Sequence, residues 1–229
     1  MFGKKRYEEL MKLIGSYGFT FSKDWHASPS NKNVLLRHDI DFSIEDALTI
    51  AKLENTLEVQ STFFFMLTSN MYNIFSTFSQ NLINQIINLN HKVSIHFDPT
   101  VYSTLDSFLE EKYFFEKTFD VDIDIVSIHR PGKFLNNNNQ SLFEVAHTYQ
   151  DKFFTKMEYI SDSGGVDVKS KLDKYLSNPS EQGLQLLLHP IWWTSKTESP
   201  IITLNNCFNK KLDFLTDEAE LNCKTYKKV

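Results

Sequence analysis

Short apolar runs that close on ionisable residues recur along this chain, and that pattern limits its fold more than any other feature. Asn33-Val-Leu-Leu-Arg-His-Asp-Ile-Asp41 begins as a strand and ends in two acids. Lys92 to Phe97 leads to His96 and Asp98, Asp124 to His129 leads to His129 and Arg130, a strand near Lys156 to Ile160 leads to Asp162, and Gly183 to His189 ends in a histidine. Ser61-Thr-Phe-Phe-Phe-Met-Leu67 is uniformly apolar, the mark of a strand buried on both faces. Between the runs lie segments of helical period: Tyr7 to Tyr17, Ser43 to Leu57, Ile74 to Leu89, Ser103 to Phe119 and Leu142 to Thr148. Ser43 reads as an N-cap, with Glu45 and Asp46 placed to suit the helix dipole. Strands alternating with helices predict parallel βαβ units and an α/β fold. In such folds the chemistry gathers at the carboxyl ends of the strands, where these ionisable groups fall.

With 229 residues, 41% of them hydrophobic and 23% charged, the chain can bury one sizeable core. The expectation is a single domain over 1–229, with a helical lead-in over 1–32 and a C-terminal extension over 194–229. A net charge of -5 excludes a dedicated nucleic-acid binder, which needs a basic excess against phosphate. No apolar run reaches the roughly 18 residues of a membrane span, so the chain is not expected to be integral to a membrane, and its charged opening segment predicts a cytoplasmic location. Cys207 and Cys223 are too few for a disulfide framework and read as free thiols. Asn136 to Asn139 read as a loop.

Side chains alternate on a strand, so Asp39 and Asp41 point to one side and His38 to the other. Two converging carboxylates repel unless a cation sits on one, leaving the second free to act as a base. By the same parity His96 and Asp98 share a face, while His91 faces away, at the surface or behind the site. An imidazole with carboxylates and open positions suits zinc and hydrolysis. Arg130 offers a planar fork for Asp39, Asp162 or an anionic substrate, the alternative being a structural salt bridge. His189 can pass a proton to a leaving group. Trp192 and Trp193 either offer flat rings to a ligand or belong to the core.

The order of these motifs resembles the polysaccharide deacetylase family, also called NodB-homology or carbohydrate esterase 4, in its short Arg-His-Asp-Ile-Asp variant. Arg37 to Asp41 resembles the first motif, Ser61 to Phe64 the strand after it, His91 to His96 the second, Ile128 to Gly132 the third, Ser161 to Gly165 the fourth and Leu187 to Trp193 the last. The resemblance implies a distorted (β/α) barrel of fewer than eight parallel strands and metal-dependent removal of acetyl groups from amino sugars. It implies Asp39 as general base, Asp41 and His96 as metal ligands, Arg130 as the group orienting Asp39, Asp162 as support and His189 as general acid. His129, Trp192 and Trp193 would line the substrate. Thr100 stands where the family has a second histidine ligand. Asp98 is the expected replacement, the other readings being that His129 reaches in or that metal binding is weak or absent. The implied cofactor is zinc, with cobalt or nickel as alternatives, and the implied partner an acetylated amino sugar, which the expected cytoplasmic location makes a nucleotide- or lipid-linked intermediate of surface polysaccharide assembly. The other readings are a catalytically degenerate carbohydrate-binding protein of the same fold and an amide or formamide hydrolase of the same superfamily.

Overall fold

The computed structural model describes residues 2–27, 32–135, 139–179 and 181–227. Asn136 to Asn138, most of the expected asparagine loop, lie outside them. Helix α1 (Lys4–Ser16) precedes strand β1 (Thr20–Ser22) and then β2 (Asn33–Ile40). The chain continues through α2 (Ile44–Thr56), β3 (Thr62–Phe65), α3 (Thr77–Asn88), β4 (Lys92–Phe97), α4 (Ser107–Phe119) and β5 (Ile125–Ile128). Then follow β6 (Ala146–His147), α5 (Asp151–Phe154), β7 (Glu158–Ser161), α6 (Lys169–Ser177), β8 (Leu184–Leu187), α7 (Pro190–Thr194) and α8 (Pro200–Asn222).

Seven parallel strands in the order β6-β5-β4-β3-β2-β8-β7 form a curled, incomplete barrel wall, and β1 pairs the start of β2 off this path. This is the distorted barrel of fewer than eight strands that the resemblance implies, built from the parallel βαβ units that the alternation predicts. Phe63, Phe64 and Phe65 of β3 are all fully buried, as the unbroken apolar run requires. Outward-facing side chains such as Phe63, Ile95 and Leu186 join the main core under the helices. Inward-facing Leu35, Phe64 and Ile125 form a smaller cluster with Trp25, whose indole N–H donates to Thr62 Oγ1. Farther along the strands the interior turns polar, with Arg37, Asp39 and Gln185 buried.

Ser43 caps α2 by accepting from the Asp46 N–H at 3.1 Å, with Glu45 and Asp46 in the first turn. Such a cap contributes about 1 kcal/mol. Two segments depart from the periodicity. Leu142 to Thr148 holds a Leu142–Val145 bridge and β6 in place of a helix, because Phe143 and Glu144 adopt left-handed backbone that ends any helical run. Helix α6 is a further element the pattern did not reveal. Helix α8 fills most of the expected C-terminal extension, over Pro200–Asn222. It starts at a Ser199 cap followed by Pro200, and Pro200 packs on Gly165. A Cβ on Gly165 would stand 2.6 Å from the Pro200 ring, and its φ is +76°, so the turn after β7 needs glycine there. Among the described residues no helix is long and apolar enough to cross a membrane.

Candidate metal-binding active site

Parallel register places the ionisable strand ends beside one another. Arg37 pairs with Leu187, so Asp39 and His189 lie opposite each other two residues on, and His96 pairs with Ser127 on β5. Arg37 donates from Nε to Asp39 Oδ1 at 2.8 Å and from Nη2 to Oδ2 at 2.7 Å, a bidentate clamp with both partners buried. Its Nη1 reaches Gln185, and Tyr149 lies against its guanidinium face. Burial alone would raise the Asp39 pKa, but the Arg37 guanidinium overrides it and holds the carboxyl well below the usual range.

The clamp on Asp39 expected of Arg130 is therefore made by Arg37. Arg130 is exposed in left-handed backbone and makes no hydrogen bond or ion pair to Asp39 among the described residues. Positions 37 and 39 share the inner face of one strand, which gives Arg37 the shorter reach.

Asp162 organises the opposite wall. Its carboxylate accepts the His189 backbone N–H at 3.0 Å, His189 Nδ1–H at 2.6 Å and Trp193 Nε1–H at 2.7 Å. Burial opposes charge on His189, yet the Asp162 carboxylate prevails and pushes its pKa up to about 9. His189 Nε2 is left facing Asp41 Oδ2 at 3.8 Å. Trp192 and Trp193, expected to line a substrate, are only 5% and 2% exposed. They sit in α7, which folds back on the helix layer, and pack against Phe2, Tyr7 and Phe42. Neither lines the small cavity beside Asp39 and Asp41.

Between these walls three donor atoms converge. His96 Nε2 is 3.3 Å from Asp41 Oδ1, His129 Nδ1 is 3.7 Å from the same oxygen, and the two ring nitrogens are 3.1 Å apart. Tetrahedral bonds of 2.0–2.1 Å separate ligand atoms by about 3.3 Å, so the triangle has the dimensions of a zinc-type site. Asp41 Oδ1 is buried without a hydrogen-bond partner. One proton can be shared between the two nitrogens, and a cation placed among the three atoms would satisfy them all together. His96 Nδ1 is tied to Ser127 Oγ, which fixes its ring. Burial and neighbouring His96 hold His129 below its ordinary pKa, favouring the neutral imidazole that ligation requires. Asp41, His96 and His129 can hold a metal ion.

Asp98 stands apart from this triangle. Its Oδ1 accepts from the Thr100 N–H and hydroxyl at 2.9 and 2.6 Å, and its Oδ2 lies 3.8 Å from His129 Nε2. The third convergent donor is thus His129 and not Asp98, because the chain leaves β4 in a 3-10 turn at Pro99 that draws Asp98 into its cap. A small cavity of about 10 Å³ bounded by Asp39, Asp41, Phe42 and Ile191 adjoins the site. The larger one, about 380 Å³, lies at the amino ends of the strands, where Lys23 is bonded to Asn90 and Lys92 to Asp124. The convergent donors, not the larger volume, mark the site.

No family model and no curated sequence matches the chain. Among solved structures, a CE4 esterase of Streptococcus mutans superposes with a TM-score of 0.50 at 12% identity, over 87% of this chain and 90% of that one. This chain has the carbohydrate esterase 4 fold. A family 4 carbohydrate esterase from Bacillus anthracis gives 0.49 at 13% identity, covering 88% of this chain and 86% of that one. A CE4 family pseudoenzyme from Bacillus anthracis gives 0.48 at 14% identity, covering 77% of this chain. This chain spans 60% of that pseudoenzyme's length. A likeness at such identity extends to the fold, so activity has to be argued from the side chains.

Proposed function

We propose that this chain is a metal-dependent hydrolase that removes the N-acetyl group of an amino sugar. The observation that carries the reading is the convergence of Asp41 Oδ1, His96 Nε2 and His129 Nδ1 between a clamped carboxylate and a carboxylate-paired histidine. A divalent cation there, zinc in the first instance, supplies Lewis acidity toward an acyl oxygen and a more acidic water. Asp39, kept ionised by Arg37, is the proton acceptor for that water. Arg37 also fixes the direction of its lone pairs by holding both oxygens. His189 receives its orientation from Asp162 through Nδ1, which leaves Nε2 to protonate the departing amine. Trp193 supports this pair from the core by donating to Asp162.

The substrate we assign is a nucleotide- or lipid-linked acetylated amino sugar, an intermediate of surface polysaccharide assembly met in the cytoplasm. Free Cys207 and Cys223 are consistent with a reducing compartment. The single unit spanning 1–229 belongs to the same reading. The competing reading, a degenerate carbohydrate-binding protein, is favoured by Thr100 alone.

The test is acetate release from nucleotide-linked and oligomeric N-acetylglucosamine by zinc-reconstituted protein. Turnover is expected in the wild type, and Asp39→Asn is expected to lower it about 10²- to 10⁴-fold with metal content unchanged. Undiminished turnover in that variant would remove Asp39 from its role. A metal-loaded wild type that releases no acetate would defeat the substrate assignment, and a wild type that takes up no metal would hand the protein to the sugar-binding reading.

A further inference from the structure

Beyond the three convergent donors, the residues behind His129 form an arrangement that the reading above does not use. The β4–β5 register pairs His96 with Ser127 and Phe97 with Ile128. It continues past the strand ends, since the His129 N–H donates to the Phe97 carbonyl at 2.7 Å. One further step sets Asp98 opposite His129, on the side of the imidazole away from the metal triangle.

Asp98 is buried at 3% exposure, and its two oxygens have separate tasks. Oδ1 is engaged by both the backbone and the hydroxyl of Thr100. Oδ2 faces His129 Nε2 at 3.8 Å, within ion-pair reach and longer than a hydrogen bond. A neutral imidazole has one N–H and one lone pair. A carboxylate on the Nε2 side favours the proton there, and the lone pair then lies on Nδ1, facing Asp41 and His96.

We propose that Asp98 is the positioning carboxylate of His129, and that Thr100 holds it in that task. This rests on the reading of Asp41, His96 and His129 as the metal site. The residue standing where a second histidine ligand is expected thus still serves the metal, two contacts removed. Asp98 aligns His129, and Thr100 aligns Asp98.

The plain alternative is that Asp98 merely caps the turn at Pro99. Asparagine caps as well as aspartate but carries no charge, so Asp98→Asn separates the two. Zinc and cobalt affinities of the full chain, measured by competition with a chelating dye, are expected to fall about 10- to 100-fold in Asp98→Asn, the range for a residue that supports a metal-bound histidine. The visible cobalt spectrum is expected to keep its band positions, because the ligand set is unchanged, and the apoprotein is expected to unfold as the wild type does. Thr100→Val is expected to weaken binding in the same direction by less, and Thr100→Ser to restore it. Wild-type affinity in Asp98→Asn would overturn the proposal and leave Asp98 as a cap, with the metal site intact. A shifted cobalt spectrum would overturn it by making Asp98 a ligand. Absence of metal binding in the wild type would overturn both this proposal and the reading beneath it.

Discussion

Strand β2 carries a histidine–carboxylate cluster on each of its faces, and the two differ in whether their hydrogen bonds close. On the outer face, His38 bonds the Leu188 carbonyl at 2.9 Å and Glu54 at 2.8 Å. Glu54 also accepts from Tyr7 and from Ser61, and His91 bonds Ser61 and the Ala51 carbonyl. All five side chains are buried and all their polar atoms are partnered. On the inner face, two ring nitrogens meet Asp41 Oδ1, which has no hydrogen-bond partner. The same residue types thus give a structural tie where the network is closed and a candidate ligand site where it is left open. His91, expected at the surface or behind the site, belongs to the closed network because it precedes β4 and packs against α2.

The sharpest break in this comparison is a pair of alanine variants. Asp41→Ala is expected to weaken zinc binding by more than about 100-fold, beyond what loss of a supporting residue does, while apoprotein stability in urea changes by less than about 1 kcal/mol. Glu54→Ala is expected to do the reverse, destabilising the fold by about 3–5 kcal/mol because His38 and Ser61 lose their buried partner, with metal affinity preserved. Parallel effects of the two variants on both measurements would end the distinction.

A smaller effect comes from Glu111 on α4, a buried carboxyl whose second oxygen has no partner. Burial, with the nearby charge of Asp98, pushes its pKa up to about 7 from 4.5, although Tyr102 donates to it. Between these values the folded state holds the proton and the unfolded state releases it. Stability therefore falls as pH rises through about 4.5 to 7 and levels off above. Glu111→Gln keeps the Tyr102 bond and removes the titration. It is expected to gain about 3 kcal/mol over the wild type at pH 8 and nothing at pH 4, read as the difference between urea midpoints. An equal gain at both pH values would show that packing, not ionisation, is at issue. Smallest of all, Arg130→Ala is expected to change stability by less than about 0.5 kcal/mol and leave metal affinity as it is. A large loss would return to Arg130 the role that the structure gives to Arg37.

Much of the barrel was legible because buried parallel strands are nearly continuous apolar runs, and β2, β3, β4, β5 and β8 lie where those runs are. Asp39, Asp41, His96 and His189 stand at their carboxyl ends, and Asp162 at that of β7. Segments with little apolar periodicity were harder to read. The stretch from Leu142 to Thr148 has a helical spacing that left-handed backbone at Phe143 and Glu144 overrides, and α6 buries only three residues, Leu172, Tyr175 and Leu176.

What the sequence determined by itself is local and periodic: which runs are strands, which of their residues share a face, and that carboxylates and imidazoles collect at one end of a parallel sheet. Strand parity alone put Asp39 and Asp41 together, and it put Arg37 with them, although the fork of Arg130 drew the attention. Only the tertiary structure decided between Arg37 and Arg130 as the clamp, between His129 and Asp98 as the third donor, and between core and pocket wall for Trp192 and Trp193. Those choices depend on the β4–β5 register, the turn at Pro99 and the packing of α7 on the helix layer. Each is set by contacts between segments far apart in the chain, and no local pattern encodes them.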